Sequence, residues 1–213
     1  MYTLWIRNTN DSTFEDMCIY NDESTLEEFK IESASLSLEE GSAGSLSLRL
    51  PVSNDGYEFF ELFATEITVK KQGAVYWMGR LLNSSEDFYA NLGLTFEGTY
   101  NYLMDTVVQQ YHFVGQPSKW ARLMLSYHNK DHASAGEFWK VIQPGVINFN
   151  DGSLNEDFYS DYETALDLIN NVCEGWKGHP SFRYEQRSYV DCITIVDGVE
   201  TKKELIMISL IGI

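Results

Sequence analysis

His128 and His132 lie four residues apart in His-Asn-Lys-Asp-His. Two histidines at that spacing on a helix present two ring nitrogens to one zinc ion. The pattern stops short of a metalloprotease helix, because Asn129 and not glutamate follows His128. The helix that carries the pair also reads as the segment Trp120–Asn129, with Ala133-Ser134-Ala135-Gly136 as a loop beyond it. A second candidate is Asp151-Gly152-Ser153-Leu154-Asn155-Glu156-Asp157, oxygen-rich like a calcium loop. Glu156 stands at its sixth place, where an EF-hand needs glycine, and Tyr162 at its twelfth, where it needs glutamate. That segment reads as a solvated turn before a helix. Cys18, Cys173 and Cys192 are odd in number and widely spaced, so neither a zinc ribbon nor a redox pair is supported. They read as reduced core thiols of a chain made in a cytoplasm. The serines form no Gly-x-Ser-x-Gly elbow, and the glycines form neither a dinucleotide fingerprint nor a phosphate loop. Glu27-Glu28 and Glu39-Glu40 are carboxylate pairs without a pattern, and spacing alone does not identify glycosidase carboxylates. His112 and His179 read as core or turn residues. No catalytic, cofactor-binding or metal-ligating residue is assigned, and the chain reads as a non-enzyme without a cofactor.

Charge narrows the partners. The chain of 213 residues has a net charge of −17, and residues 10–40 carry ten acids against the single base Lys30. Nucleic-acid affinity comes mostly from neutralised phosphates, so a chain of this balance repels DNA and RNA and forms no stable complex with them. Hydrophobic content of 44% and aromatic content of 14% support a packed core that buries roughly 70% of the extended chain's surface. No apolar run is long enough to cross a membrane as a helix, and the polar residues right after Met1–Trp5 exclude a signal peptide.

The elements that position these residues divide the chain at residue 98. Residues 1–98 read as strands. Tyr2 to Arg7 sets Leu4 and Ile6 opposite Trp5, residues 10–28 form a long acidic loop, and a serine-rich strand runs through Leu36 and Leu38. Leu46, Leu48 and Leu50 then alternate with Ser45, Ser47 and Arg49, a half-buried strand closed by Pro51. Glu66–Lys70 and Ala74–Met78 form a hairpin around Lys71-Gln72-Gly73, where glycine supplies the positive φ of a tight turn. Gly79 marks a bulge or a close backbone approach, residues 83–87 a polar turn, and Tyr89–Glu97 a third strand ended by Gly98. Residues 99–145 read as more helical. Tyr100, Leu103, Met104 and Val107 recur at helical spacing, and Pro117 opens a helix with Trp120, Leu123, Met124 and Tyr127 as its stripe. Val146 to Phe149 reads as a short strand. Ser160-Asp161-Tyr162-Glu163 has capping-box spacing before a helix that presents Leu166, Ile169, Cys173 and Trp176. Phe182–Arg187 and Tyr189–Val196 read as a closing hairpin. The terminal Leu205–Ile213 is apolar except for Ser209, which suits a buried strand, a truncation or a change of reading frame, and is an aggregation hazard if unpaired.

Four segments together resemble the N-terminal part of phage tail-associated hub proteins, the prophage endopeptidase tail or tail-tip baseplate hub family. They are LSLEEGSAGSLSLRLP; residues 67–108, with Gly79-Arg80, Glu86-Asp87-Phe88 and the Phe96-Glu97-Gly98 corner; Gln110-Tyr111-His112-Phe113 with the helix that ends Tyr127-His128-Asn129; and Tyr159 to Ala165 with its helix. They cover residues ~30–200 in family order. The resemblance implies an α+β fold: a mainly β, tail-tube-like barrel domain over 1–98, and a mixed α/β inserted domain with the start of a further β domain over 99–213. It implies a homotrimeric hub ring at the virion tail tip that adapts the tail tube to the tip, with the distal tail and tape-measure proteins as partners. Family members are often longer, and their peptidoglycan-cleaving activity usually sits in a C-terminal extension. The alternatives are a cell-wall hydrolase or peptidase, which lacks a nucleophile–base pair here, and a carbohydrate- or receptor-binding β-module, suggested by surface-prone Trp and Tyr.

Overall fold

Strict alternation in the sequence becomes a regular strand: in Ser45–Leu50 the three leucines are buried and the residues between them exposed. The structure, a computed structural model, describes residues 1–11, 13–145, 155–175, 180–187, 193–196, 199–202 and 205–211. Its strands are β1 (Tyr2–Asn8), β2 (Met17–Asn21), β3 (Ser33–Ser37), β4 (Ser45–Leu50), β5 (Thr65–Lys71), β6 (Ala74–Glu86), β7 (Leu92–Gly98), β8 (Tyr111–Gly115), β9 (Ile142–Pro144), β10 (Glu156–Ser160), β11 (Ser181–Arg187), β12 (Ile193–Val196), β13 (Val199–Lys202) and β14 (Leu205–Ile211). Its α-helices are α1 (Pro117–Ser134) and α2 (Ala165–Gly175). The chain forms two compact units, Met1–Thr99 and Tyr100–Ile213, and the whole is a mainly β, α+β fold.

The first unit is one antiparallel sheet of seven strands in the order β2-β1-β5-β6-β7-β4-β3. It curls into a half-barrel. One face of six strands supplies a single core: Leu4 and Ile6, Ile19, Leu46, Leu48 and Leu50, Ile67 and Val69, Trp77 and Leu81, Leu94 and Phe96. Each such side chain contributes about 1.5–3 kcal/mol on burial, and only a curved sheet brings all of them into one cluster. The connection 51–64 reaches across this core, with Tyr57 and Phe60 packed against it. Buried Asn54 ties the two ends of the sheet there. Its Nδ2 donates to the carbonyl of Ile19 in β2 and to that of Lys30, just ahead of β3, each at 2.8 Å. Its Oδ1 accepts the Gly56 N–H at 2.9 Å.

Several expectations shift here. The acidic segment 10–28 contains β2, because Ile19 joins the core. The β5–β6 loop is the two-residue turn Gln72-Gly73, both with positive φ (53° and 81°), the twist-matched form for a hairpin. The polar turn expected at 83–87 is strand through Glu86, so the reversal falls at 87–91 and β7 begins at Leu92. Gly79 is a close approach and not a bulge: a Cβ there would lie 2.3 Å from the Trp77 ring and 2.4 Å from the Glu97 carbonyl oxygen. The ladder irregularities flank it, at Val69/Lys70 and Leu81/Asn83. Gly98 is tighter still, its notional Cβ 1.8 Å from the Ala43 carbonyl oxygen. That contact lets the Gly98 N–H reach the Gly44 carbonyl at 3.0 Å, beside the bond from Trp77 Nε1 to the Ala43 carbonyl, also 3.0 Å. On the opposite face of the sheet Arg80 pairs with Glu97 at 2.6 Å.

The second unit opens within the 3-10 helix Thr99–Asp105. Its tighter turn buries Tyr100, Tyr102 and Leu103 and leaves Met104 and Val107 exposed, so the expected α-helical stripe is not formed. Helix α1 starts at Pro117 and runs to Ser134, five residues past the expected end. Its buried face is Trp120, Ala121, Met124, Leu125, His128 and His132, rows of i, i+4 neighbours. Helix α2 is capped one turn later than expected. Thr164 Oγ1 accepts the Asp167 N–H at 3.1 Å and donates to Asp167 Oδ2 at 2.7 Å, while Ser160 ends β10 and donates to the Gln109 carbonyl at 2.6 Å. Strands β8 and β10 form a two-stranded ribbon. Among the described residues the two arms of the hairpin expected over 182–196 do not pair with each other: β11 pairs with β14, and β12 with β13. The apolar β14 is the inner strand of β11-β14-β9, paired with β11 along Leu205–Ile211 and with β9 at Ile208–Leu210, which covers part of the edge that made it a hazard. The expected strand at Val146–Phe149, Trp176, His179 and Cys192 lie outside the described residues.

Candidate functional site

The extension of α1 puts both histidines on its buried face, His128 at 0% and His132 at 6% exposure. Their ring centroids are 4.4 Å apart, and both rings converge on buried Thr106 from the loop after the 3-10 helix. Thr106 Oγ1 is 2.9 Å from His128 Nδ1 and 3.4 Å from His132 Nε2. The outer nitrogens are anchored by the turn after the helix. His128 Nε2 lies 2.9 Å from the Lys140 carbonyl oxygen, and His132 Nδ1 2.6 Å from Glu137 Oε2. Lys140 Nζ pairs with Glu137 Oε2 at 3.2 Å and with Asp105 Oδ2 at 3.1 Å.

The partners assign the protons. A carbonyl only accepts, so His128 carries its proton on Nε2 and its Nδ1 takes the proton of the Thr106 hydroxyl. Burial pushes the His128 imidazole down to about 4, against a smaller opposing pull from its bond to the Lys140 carbonyl. Burial raises the Glu137 carboxyl, but hydrogen bonds from His132 and Lys140 outweigh it and hold the group below its ordinary range. Thr106, His132 and Glu137 follow one another in the order hydroxyl, imidazole, carboxylate. A nucleophile needs its proton aimed at the base and its oxygen open to substrate. Here the proton is directed to His128 and the hydroxyl is buried. The arrangement acts as a polar lock between the α1 C-terminus, the 3-10 helix and the 137–140 turn. Among the described residues no three His, Cys, Asp or Glu side chains gather to hold a metal ion.

The β8–β10 ribbon has two unlike faces. Tyr111, Phe113 and Phe158 stack on Trp120 of α1, with centroids 5.3–5.8 Å apart. The other face is open: His112 lies flat on Tyr159 at 4.6 Å, its Nε2 3.2 Å from Asp157 Oδ1, so it is neither core nor turn. Beside the ribbon a cavity of about 590 Å³ is lined by Trp120, Glu156, Asp157, Phe158, Tyr159 and Glu163 among others. Its carboxylates disfavour a phosphate. Cys173 is a free, buried thiol pushed up to about 11 by burial, and Cys18 is free and raised for the same reason. Of the calcium-like loop, Asn155, Glu156 and Asp157 are described, the last two in β10.

A further exposed feature is the β6–β7 turn in the first unit, where Phe88 and Tyr89 point into solvent. Sequence reasoning passed over Thr106, Glu137, Lys140 and Asn54, and singled out Glu86-Asp87-Phe88 without its exposed aromatic pair. The one local signal was Gly136, whose positive φ of 80° ends α1 and returns Glu137 onto His132.

No family model and no curated protein matches the chain. Among solved structures it is similar to the tail protein from Neisseria meningitidis MC58, with 13% identity and a TM-score of 0.50 over 98% of this chain. It is also similar to a prophage tail protein from Listeria monocytogenes EGD-e, with 11% identity and a TM-score of 0.50 over 97%. The chain spans half the length of each of these structures, 50% in both cases. At this identity the likeness is one of fold, and the fold is one that tail proteins use.

Proposed function

We propose that this chain is a non-enzymatic structural component of a phage or prophage tail, a subunit of a trimeric hub ring that adapts the tail tube to the tail tip. What carries the reading is that the likeness to tail proteins extends over 97–98% of the chain and so takes in both units. In this role the curved seven-stranded sheet is a section of ring wall and the second unit is the inserted α/β domain. Three subunits with two tube-like domains apiece give a pseudo-hexameric ring, and the first unit is one such domain. The net charge of −17 suits a lumen through which DNA passes without adhering. The distal tail and tape-measure proteins are its neighbours. No described helix is long and apolar enough to cross a membrane.

Immunogold labelling of particles from a strain that carries the gene tests the assignment. Gold at the tail tip is expected; gold along the tube, on the head, or on no particle overturns it. Light scattering should give a mass three times 24.4 kDa, and a strict monomer at high concentration opposes the trimer.

A further inference from the structure

The β6–β7 hairpin ends in a turn that holds two aromatic side chains away from the protein. Phe88 is 96% exposed and Tyr89 77%, their rings edge to face at 5.5 Å. The turn beneath them is pinned. Asp87 Oδ1 accepts the N–H of Tyr89 at 2.8 Å and that of Asn91 at 3.0 Å. The Asp87 carbonyl accepts the Ala90 N–H at 3.1 Å, and the Asp87 N–H reaches the Asn91 carbonyl at 3.0 Å. Ala90 takes a positive φ of 57°. Arg49 clamps Asp87 from β4 and reaches Glu32 Oε2 at 2.6 Å. Aromatic rings carried on a pinned turn lose less entropy on contact than rings on a mobile loop, which is the property of an anchor.

The place of the turn gives the direction of approach. The last β5–β6 pair is Glu66 with Arg80, and β6 continues from Leu81 to Glu86 with β7 alone on that stretch. Strand β4 stops at Leu50 opposite Leu92, so residues 87–91 stand past the strand ends. The lateral edges of the sheet are β2 and β3, and a neighbour in the same ring meets those. The aromatic pair faces a body stacked on the end of the wall.

Charge selects among the occupants. A second copy brings another −17, and a bacterial phospholipid surface is anionic. Glu86, Asp87 and Glu32 surround the turn with Arg49 among them. We propose that Phe88 and Tyr89 anchor this chain end-on to a different protein, whose apolar pocket is rimmed by lysine and arginine. The proposal rests on the tail reading for the end-on direction of approach and for where its partner is sought.

The test immobilises the full chain and passes over it each separately purified product of the genes flanking its own. One product should bind the wild type. Phe88→Ala should weaken it about 30-fold or more and Tyr89→Ala about 10-fold, as for central aromatic anchors, and raising salt from about 0.05 to 0.5 M should weaken it further. Phe88→Gln repeats the loss, and both Phe88 variants should melt with the wild type, since surface changes scarcely move stability. The proposal is overturned if no flanking product binds, or if a bound product ignores Phe88→Ala. It is equally overturned if light scattering shows a self-association that Phe88→Ala abolishes, or if the chain floats with phosphatidylglycerol vesicles through Phe88. Any of these leaves gold at the tail tip unaffected, so the two readings fail separately.

Discussion

Thr106→Val keeps the shape of the side chain and removes only the hydroxyl, which makes it the sharpest probe of the buried lock. His128 Nε2–H is committed to the Lys140 carbonyl, so without Thr106 its Nδ1 is an acceptor at 0% exposure that has lost its donor. Leaving such a group unsatisfied costs about 1–3 kcal/mol. A loss near ~2 kcal/mol lowers Tm by roughly 8–16 °C for a unit of ~100 residues. Urea unfolding at pH 7.5 measures it, and a loss below ~0.5 kcal/mol refutes the proton assignment. The same network sets a pH dependence. His128 titrates at about 4 when folded, below its ordinary 6.5, so the unfolded chain binds more protons between those values. The stability from keeping this ring neutral is complete above pH ~6.5, falls as the pH drops toward ~4, and totals about 3 kcal/mol at ~1.4 kcal/mol per unit. His132, Lys140 and Asp105 face the ring, and Glu137 sits behind His132. The difference between wild type and His128→Gln should carry that slope, and parallel profiles from pH 7 to 4 would sink the account.

Gly98→Ala puts a Cβ 1.8 Å from the Ala43 carbonyl and should cost about 1–3 kcal/mol in denaturant unfolding, the range for forced overpacking. Asn54→Ala removes three hydrogen bonds at the strap between the sheet ends; about 2–4 kcal/mol should be lost, with hydrogen exchange rising first in β2. Cys173, pushed up to about 11, should be alkylated at pH 8 over ~100-fold more slowly than an ordinary thiol, as read by peptide mass spectrometry.

How much was legible follows the kind of interaction. The β4 leucines and the β5–β6 turn were readable because side-chain alternation and turn chemistry are local. The same holds for the glycines at 79 and 98, flagged as punctuation before any contact was known. Strand β2 was hidden because its five residues bury only Ile19 and sit between the acid pairs at 15–16 and 22–23, and only pairing with β1 makes it a strand. The capping residue of α2 was missed because two capping-box spacings lie four residues apart, and the pairing of Ser160 in β10 with Gln109 decides between them. The His128–His132 pair drew attention for the right spacing, but its partners Thr106 and Lys140 are 22 and 12 residues away, and nothing local announces them.

The sheet order also has a consequence for biosynthesis. Strand β1 is made first and soon has β2 as an outer neighbour, but its inner edge pairs with β5, with Thr3 opposite Lys70. At ~5–20 residues per second that edge waits several seconds on the ribosome. Strand β4 waits similarly for β7, from Leu50 to Leu92, while the β5–β6–β7 meander closes as soon as it emerges. The meander is thus the natural nucleus onto which both flanks dock, and loop closure over ~40–70 residues makes that docking slow. Nascent chains stalled before residue 65 should bind a holdase chaperone through β1 and β4, and release it once β7 has left the tunnel.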